Sequence, residues 1–191
     1  MDSLKANLFC ILVWDWIFKM KKQLKIFLFC ICCFAFIGCD RVTKDLAKEH
    51  LKNKETVSYF HDTVRLQYAE NTGAALNLGD HLPKTMSFWL LSLLPLIFLL
   101  ILFGYTIKNS RKMSFIKMFS IALIFAGGIG NIIDRLLFDR HVPDFIIISI
   151  QNLRTGIFNV ADVCVTAGVI GLILFYRDKK PASIILNKSS S

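Results

Sequence analysis

The sequence has 191 residues, of which 54% are hydrophobic and only 19% charged, with 17 Phe; a soluble domain of this size has too little interior for so much apolar surface, and a disordered chain lacks it. A net charge of +9 would suit a nucleic-acid binder, but the basic residues are scattered between apolar blocks and form no basic face. That leaves a membrane protein.

In chain order, residues 1–19 form a semi-apolar stretch with Trp14 and Trp16, too short to span, followed by Met20-Lys-Lys. They are expected to be an extension ahead of a native start at Met20, or an interfacial helix. A first span is predicted at about 24–42, flanked by Lys21, Lys22 and Lys25, which can snorkel to the interface. Residues 44–53 read as its charged helical extension. Residues 57–60 and 63–68 carry strand-like alternation and lead into an Asn71-Thr-Gly turn, which predicts a small sheet between helices one and two. Further spans are predicted at about 86–107, 115–133 and 158–176, each near the roughly 20 apolar residues a bilayer requires. Pro95 and the cluster Gly127, Gly128 and Gly130 interrupt two of them, which lipid tolerates, and small residues let neighbouring helices approach closely. The fold class is therefore an all-α membrane protein: four transmembrane helices with a small extracytoplasmic β-sheet, a working unit of 20–176, and a basic tail of 177–191.

Thirteen of the 23 Lys and Arg precede span one, join spans two and three, or follow span four, against three Asp in the same segments. The linker at 108–117, with four basic residues, gives the clearest indication that both termini are cytoplasmic. The six cysteines sit in or beside apolar runs without a C-x-x-C pair, and the four histidines are isolated in loops, so no metal or other cofactor is expected. Gly128-Ile-Gly130 lacks the third glycine of a dinucleotide fingerprint, and no G-x-S-x-G is present. Residues 21–39, ending Gly38-Cys39, imitate a lipoprotein signal sequence, but three further spans downstream argue against a secreted lipoprotein.

Ionisable groups are expensive in a bilayer, so those retained near span ends are candidates for function. Asp40 closes span one; Asn131, Asp134 and Arg135 end span three; Asp144 follows; Asn159 and Asp162 open span four. With the derived sidedness these positions share one depth at the outer face, and spacings of three and four put each set on one helix face. The plainer readings are a structural Asp134–Arg135 ion pair and a helix-capping role for Asp162. Asp144 lies where a polar loop turns abruptly apolar, a segment expected to dip back and carry its carboxylate toward Asp162. Two carboxylates in a partly dehydrated place cannot both ionise readily, so one keeps a proton while the other acts as base: the apparatus of an aspartic protease. A proton-coupled transporter is the alternative, but it needs midplane polar residues that spans two and three barely offer.

Five motifs occur in order: Asp40-Arg-Val-Thr-Lys44, Asn71-Thr-Gly-Ala-Ala75, Gly127-Gly-Ile-Gly-Asn131-Ile-Ile-Asp134-Arg135, Val142-Pro-Asp144-Phe145 and Phe158-Asn159-Val-Ala161-Asp162. Over about 20–176 they resemble the bacterial lipoprotein signal peptidases, or signal peptidase II. The second departs slightly in ending Ala74-Ala75-Leu76, where an aromatic is common. The resemblance implies an inner-membrane aspartic endopeptidase, blocked by globomycin, that cuts prolipoproteins just before their diacylglyceryl-modified Cys. By matching position, Asp144 and Asp162 are the implied catalytic pair. Asn71, Asn131, Arg135 and Asn159 are implied to hold the substrate, with Asp40 and Asp134 in support. The expected partners are such substrates and membrane lipid, with no nucleic acid; the expected state is a monomer working at the outer leaflet without a metal.

Overall fold

Burial in this chain is inverted relative to a soluble protein. Leu24, Phe27, Ile31 and Phe34 are exposed along the first helix, as are Leu94, Phe98 and Ile101 along the second long one, whereas Asp40, Lys44, Asp134, Asp144 and Asn159 are buried. Such a surface is stable where hydrocarbon replaces water outside it. The computed structural model describes residues 2–73, 78–151 and 153–175, with side chains from residue 21 onward. The expected tail at 177–191, the end of span four at 176 and the Ala74-Ala75-Leu76 departure lie outside the described residues.

Helix α1 (Asp2–Leu51) runs unbroken through residues 2–19 and the charged extension after residue 44. From residue 21 its buried positions, Phe29, Cys33, Asp40, Lys44 and Ala47, are separated by multiples of three to four residues and so form one stripe, which packs on α4 (Phe115–Leu137). The stripe is apolar at its beginning and charged at its end. Helix α2 (Lys84–Ser87), a π-helical turn at Phe88–Leu93 and α3 (Leu94–Asn109) follow one another directly. Pro95 has no N–H for the carbonyl four residues back, and the chain absorbs the missing bond by widening the preceding turn rather than breaking the helix.

Helix α4 is the hub, packing against α1, α3 and α5 (Val160–Leu174). Ser114 caps it by accepting the Lys117 N–H. Its contacts with α5 and α1 are close: a Cβ at Gly127 would overlap the Ala161 carbonyl oxygen of α5, and one at Gly130 would lie 2.7 Å from Asp40 Oδ2 of α1. The glycines thus pack helices, as their spacing suggested. Three helical stretches, 21–51, 84–109 and 115–137, are long and apolar enough to cross a bilayer; α5 is apolar but has 15 residues.

The sheet is antiparallel with strand order β1-β2-β3-β4. Strands β1 (Val57–Tyr59) and β2 (Val64–Asn71) form the hairpin expected between the first two long helices. The other two, β3 (Val142–Ile150) and β4 (Leu153–Arg154), come from the segment between α4 and α5. The stretch expected to dip toward the interface is therefore a strand. Its β-branched run Ile146-Ile147-Ile148 pairs with β2, opposite Leu66, Arg65 and Val64 in turn.

Candidate active site

Register delivers the first carboxylate. Ala69 faces Asp144 and Asn71 faces Val142, after a β-bulge between Leu66 and Ala69 that adds a residue to β2 and re-aims its end. Asp144 is only 3% exposed. Asn71 Nδ2 donates to Asp144 Oδ2 at 3.0 Å, and the Asn71 amide is oriented by its own Oδ1 accepting the Gly73 N–H at 2.9 Å.

Backbone bonds bring the second carboxylate. The Phe145 and Ile146 N–H groups both donate to the Phe158 carbonyl, at 3.1 and 2.9 Å, and Phe158 N–H returns a bond to the Ile146 carbonyl at 2.9 Å. This clamp holds the start of α5 beside β3. Asn159 then caps α5, its Oδ1 accepting Asp162 N–H at 3.0 Å while Asp162 Oδ2 accepts Asn159 N–H at 3.1 Å, a reciprocal capping box. Asn159 Nδ2 also donates to Asp144 Oδ1 at 2.6 Å, so one buried asparagine touches both carboxylates. Asp162 is indeed a helix cap, the plainer of its two readings, but capping occupies one oxygen only. Its Oδ1 accepts from Asn131 Nδ2 at 2.9 Å.

Behind these lies a charged layer. Lys44, with no exposed surface, donates from Nζ to Asp40 Oδ2 at 2.7 Å, Asp134 Oδ2 at 2.6 Å and Asn131 Oδ1 at 2.9 Å. Asp40 Oδ1 accepts the Ala161 N–H at 2.9 Å, joining α1 to the first turn of α5. The partners of Asp134 are Lys44 and Arg41, the latter at 2.7 Å, and not Arg135 as the ion-pair reading had it. Arg135 points to the other side, where its Nη2 donates to the Gly73 carbonyl at 2.9 Å and its buried Nε has no hydrogen-bond partner among the described residues. Arg140 binds the carbonyls of Thr72, Asp80 and Leu82, tying the segment after β2 to the end of α4.

A cavity of about 790 Å³ opens on this group. Its lining includes Asn71, Asn131, Arg135, Asp144, Asn159 and Asp162, and continues over apolar side chains such as Leu91, Pro95, Ile132, Val163 and Ile170 from the π-helical turn, α3, α4 and α5. Asp40 and Asp134 are outside the lining and act only from behind. Burial pushes the Asp144 carboxyl up to about 6; the Asn71 hydrogen bond opposes the rise, the Asp162 charge adds to it, and Asn159 and Lys44 oppose it. A carboxyl so raised can hold a proton beside an acceptor, in the wall of a largely apolar chamber.

The structure brings together all eight residues singled out in the sequence, six around the cavity and two behind it. Sequence reasoning missed Lys44, Arg41 and Arg140 as parts of this site. Lys44 had a signal, since it lies one helical turn beyond Asp40 on the same face.

Residues 32–177 match the sequence pattern of the family described as signal peptidase (SPase) II. A lipoprotein signal peptidase of Chlorobium phaeobacteroides is 37% identical over 148 residues, covering 73% of this chain and 84% of the relative. One from Clostridium tetani is 36% identical over 148 residues, covering 74% and 90%. A solved bacterial membrane enzyme is similar in structure, with a TM-score of 0.67 and 28% identity, over 81% of this chain and 96% of the other.

Proposed function

The chain belongs to the signal peptidase II family, multi-pass bacterial membrane proteases that remove signal peptides from prolipoproteins, and on that premise we propose that it works as an aspartic endopeptidase with Asp144 and Asp162 as its catalytic pair. The observation that carries this reading is Asn159, whose side-chain amide donates to Asp144 and whose backbone N–H donates to Asp162, so that one residue joins two carboxylates beside a largely apolar cavity.

In the proposed reaction Asp144, raised to about 6, holds the shared proton, and Asp162 acts as the base. Water enters between them. Asp162 takes a proton from it as the oxygen attacks the scissile carbonyl, while the Asp144 proton goes to the carbonyl oxygen. When the tetrahedral intermediate collapses, the C–N bond breaks, the proton on Asp162 passes to the departing amine and Asp144 recovers its own. Asn71 and Asn159 keep Asp144 in place. The unpartnered Nε of Arg135 supplies a donor for a substrate backbone carbonyl.

The substrate cut is the bond just before a diacylglyceryl-modified Cys, with the signal helix and acyl chains against the apolar walls. The unit that does this is 20–176, a monomer in the cytoplasmic membrane, with the site at the outer leaflet, both termini cytoplasmic and 177–191 a cytoplasmic tail.

Asp144→Asn and Asp162→Asn should each abolish processing of a diacylglyceryl-modified prolipoprotein in vitro while the protein still inserts and folds. Substantial cleavage by either variant would refute the dyad.

A further inference from the structure

Lys44 is the one lysine of the described residues that is wholly buried, and its ammonium faces two carboxylates and one neutral amide. The carboxylates alone account for its charge: Asp40 and Asp134 both face Lys44, and Arg41, which takes the second oxygen of Asp134, is itself paired with Asp45. The third bond, to Asn131 Oδ1 at 2.9 Å, does not serve neutrality. It serves orientation. An asparagine side chain presents an acceptor on one side and two N–H donors on the other, and turning it over exchanges them. Around Asn131 the choice is forced, because Oδ1 receives both Lys44 Nζ and Asn159 Nδ2, the latter at 3.1 Å. A flipped amide would set N–H groups against an ammonium and against a second amide N–H. With Oδ1 pinned there, Nδ2 has to face Asp162 Oδ1, at 2.9 Å.

We propose that Lys44 is a positioning residue for hydrolysis: its ammonium locks the Asn131 amide so that an N–H meets Asp162, holding that carboxylate in the rotamer from which it acts as base. This rests on the dyad reading above and goes beyond it by naming what sets the base. Without the lock Asn131 Oδ1 keeps only the Asn159 donor, and the amide turns over more often, setting its oxygen against the Asp162 carboxylate. Such a fault acts on the chemical step and spares binding, since Lys44 is absent from the cavity lining.

The test must avoid stranding a buried charge. Lys44→Met combined with Asp40→Asn removes one charge of each sign, leaves the Arg41–Asp134 pair intact, and keeps an acceptor for the Ala161 N–H. With a lipidated prolipoprotein in nanodiscs, its kcat should fall at least tenfold with KM within twofold of wild type. Lys44→Gln with Asp40→Asn returns an N–H toward Asn131 Oδ1 and should recover most of the loss. Wild-type kcat in the folded methionine variant, a loss confined to KM, or no recovery by glutamine would overturn the proposal. So would failure of both double variants to fold, which would make Lys44 a residue of the scaffold alone. Asp144→Asn and Asp162→Asn run alongside separate the two readings: if either cleaves, the dyad fails, and if both are dead while the Lys44 variants are normal, only the positioning role fails.

Discussion

At the scale of single residues, Asp144 is the distinctive group. Its carboxyl is raised to about 6, first by burial, so it stays protonated to a higher pH than an ordinary carboxyl and ionises above that point. The sign for activity follows: a dyad that needs one shared proton loses activity as the pH rises through this value. For stability the sign is the same, since a carboxyl raised in the folded state contributes most below its unfolded value and loses that contribution as the pH climbs through the folded one. Asn71→Ala deletes an N–H bond that favours the ionised form. The alkaline limb of the kcat/KM profile should therefore move to higher pH in that variant, with a lower maximum; a limb that stays put or moves down would show that Asn71 does not touch the titrating group. The residues themselves were legible because charge is rare in this chain, so each polar side chain near a span end stood out. Lys44 did not. It begins a run of charged residues that reads as solvated, and its partner Asp134 lies 90 residues away. Arg135 misled for the opposite reason: neighbours in sequence on a helix point about 100° apart, so adjacency to Asp134 was no contact.

At the scale of elements, the site depends on how closely α4 meets the first turn of α5. Gly127 abuts the Ala161 carbonyl, and Ala161 lies between the cap Asn159 and the carboxylate Asp162. Gly127→Ala must push that turn outward, carrying Asn159 and Asp162 away from Asp144. A displacement of about 1 Å at a catalytic group costs on the order of 100-fold, so kcat/KM for prolipoprotein processing should fall at least about tenfold. Gly104→Ala on α3, where an added Cβ meets nothing within 4 Å, is the control and should leave processing unchanged. Equal activity of the two variants would show that α5 is not held by this contact. Helix periodicity and the glycine cluster made this packing readable in advance, since both are local patterns. The strand β3 was not, because its partner β2 lies more than 70 residues earlier. A run such as Phe145-Ile-Ile-Ile-Ser gives no sign of whether its backbone pairs with a strand or lies against lipid.

At the scale of the whole molecule, the two ends of the bundle differ in charge. The carboxylates and their amides gather where α1 and α4 reach their later turns and α5 begins, whereas Lys21, Lys22, Lys25 and Arg111 line a small pocket of about 180 Å³ at the start of the first apolar stretch and the α3–α4 turn. Lys25 fastens the two segments there by donating to the Met113 carbonyl at 2.8 Å. An all-basic pocket at one end, against a site at the other where acids and cations are mixed, supports the proposed orientation with the carboxylates at the outer leaflet. Between the ends the cavity is walled by apolar side chains, so a peptide that brings only its backbone to Asp144 and Asp162 leaves most of that surface unfilled. An acyl chain gains roughly 0.8 kcal/mol for each methylene it buries, and four such groups held in the transition state suffice for about 100-fold. An unlipidated prolipoprotein, matched in sequence and reconstituted in the same nanodiscs, should therefore be cut with a kcat/KM at least about 100-fold below its diacylglyceryl form. Comparable rates for the two would mean that the apolar wall serves the signal helix alone, and that lipid plays no part in choosing the bond.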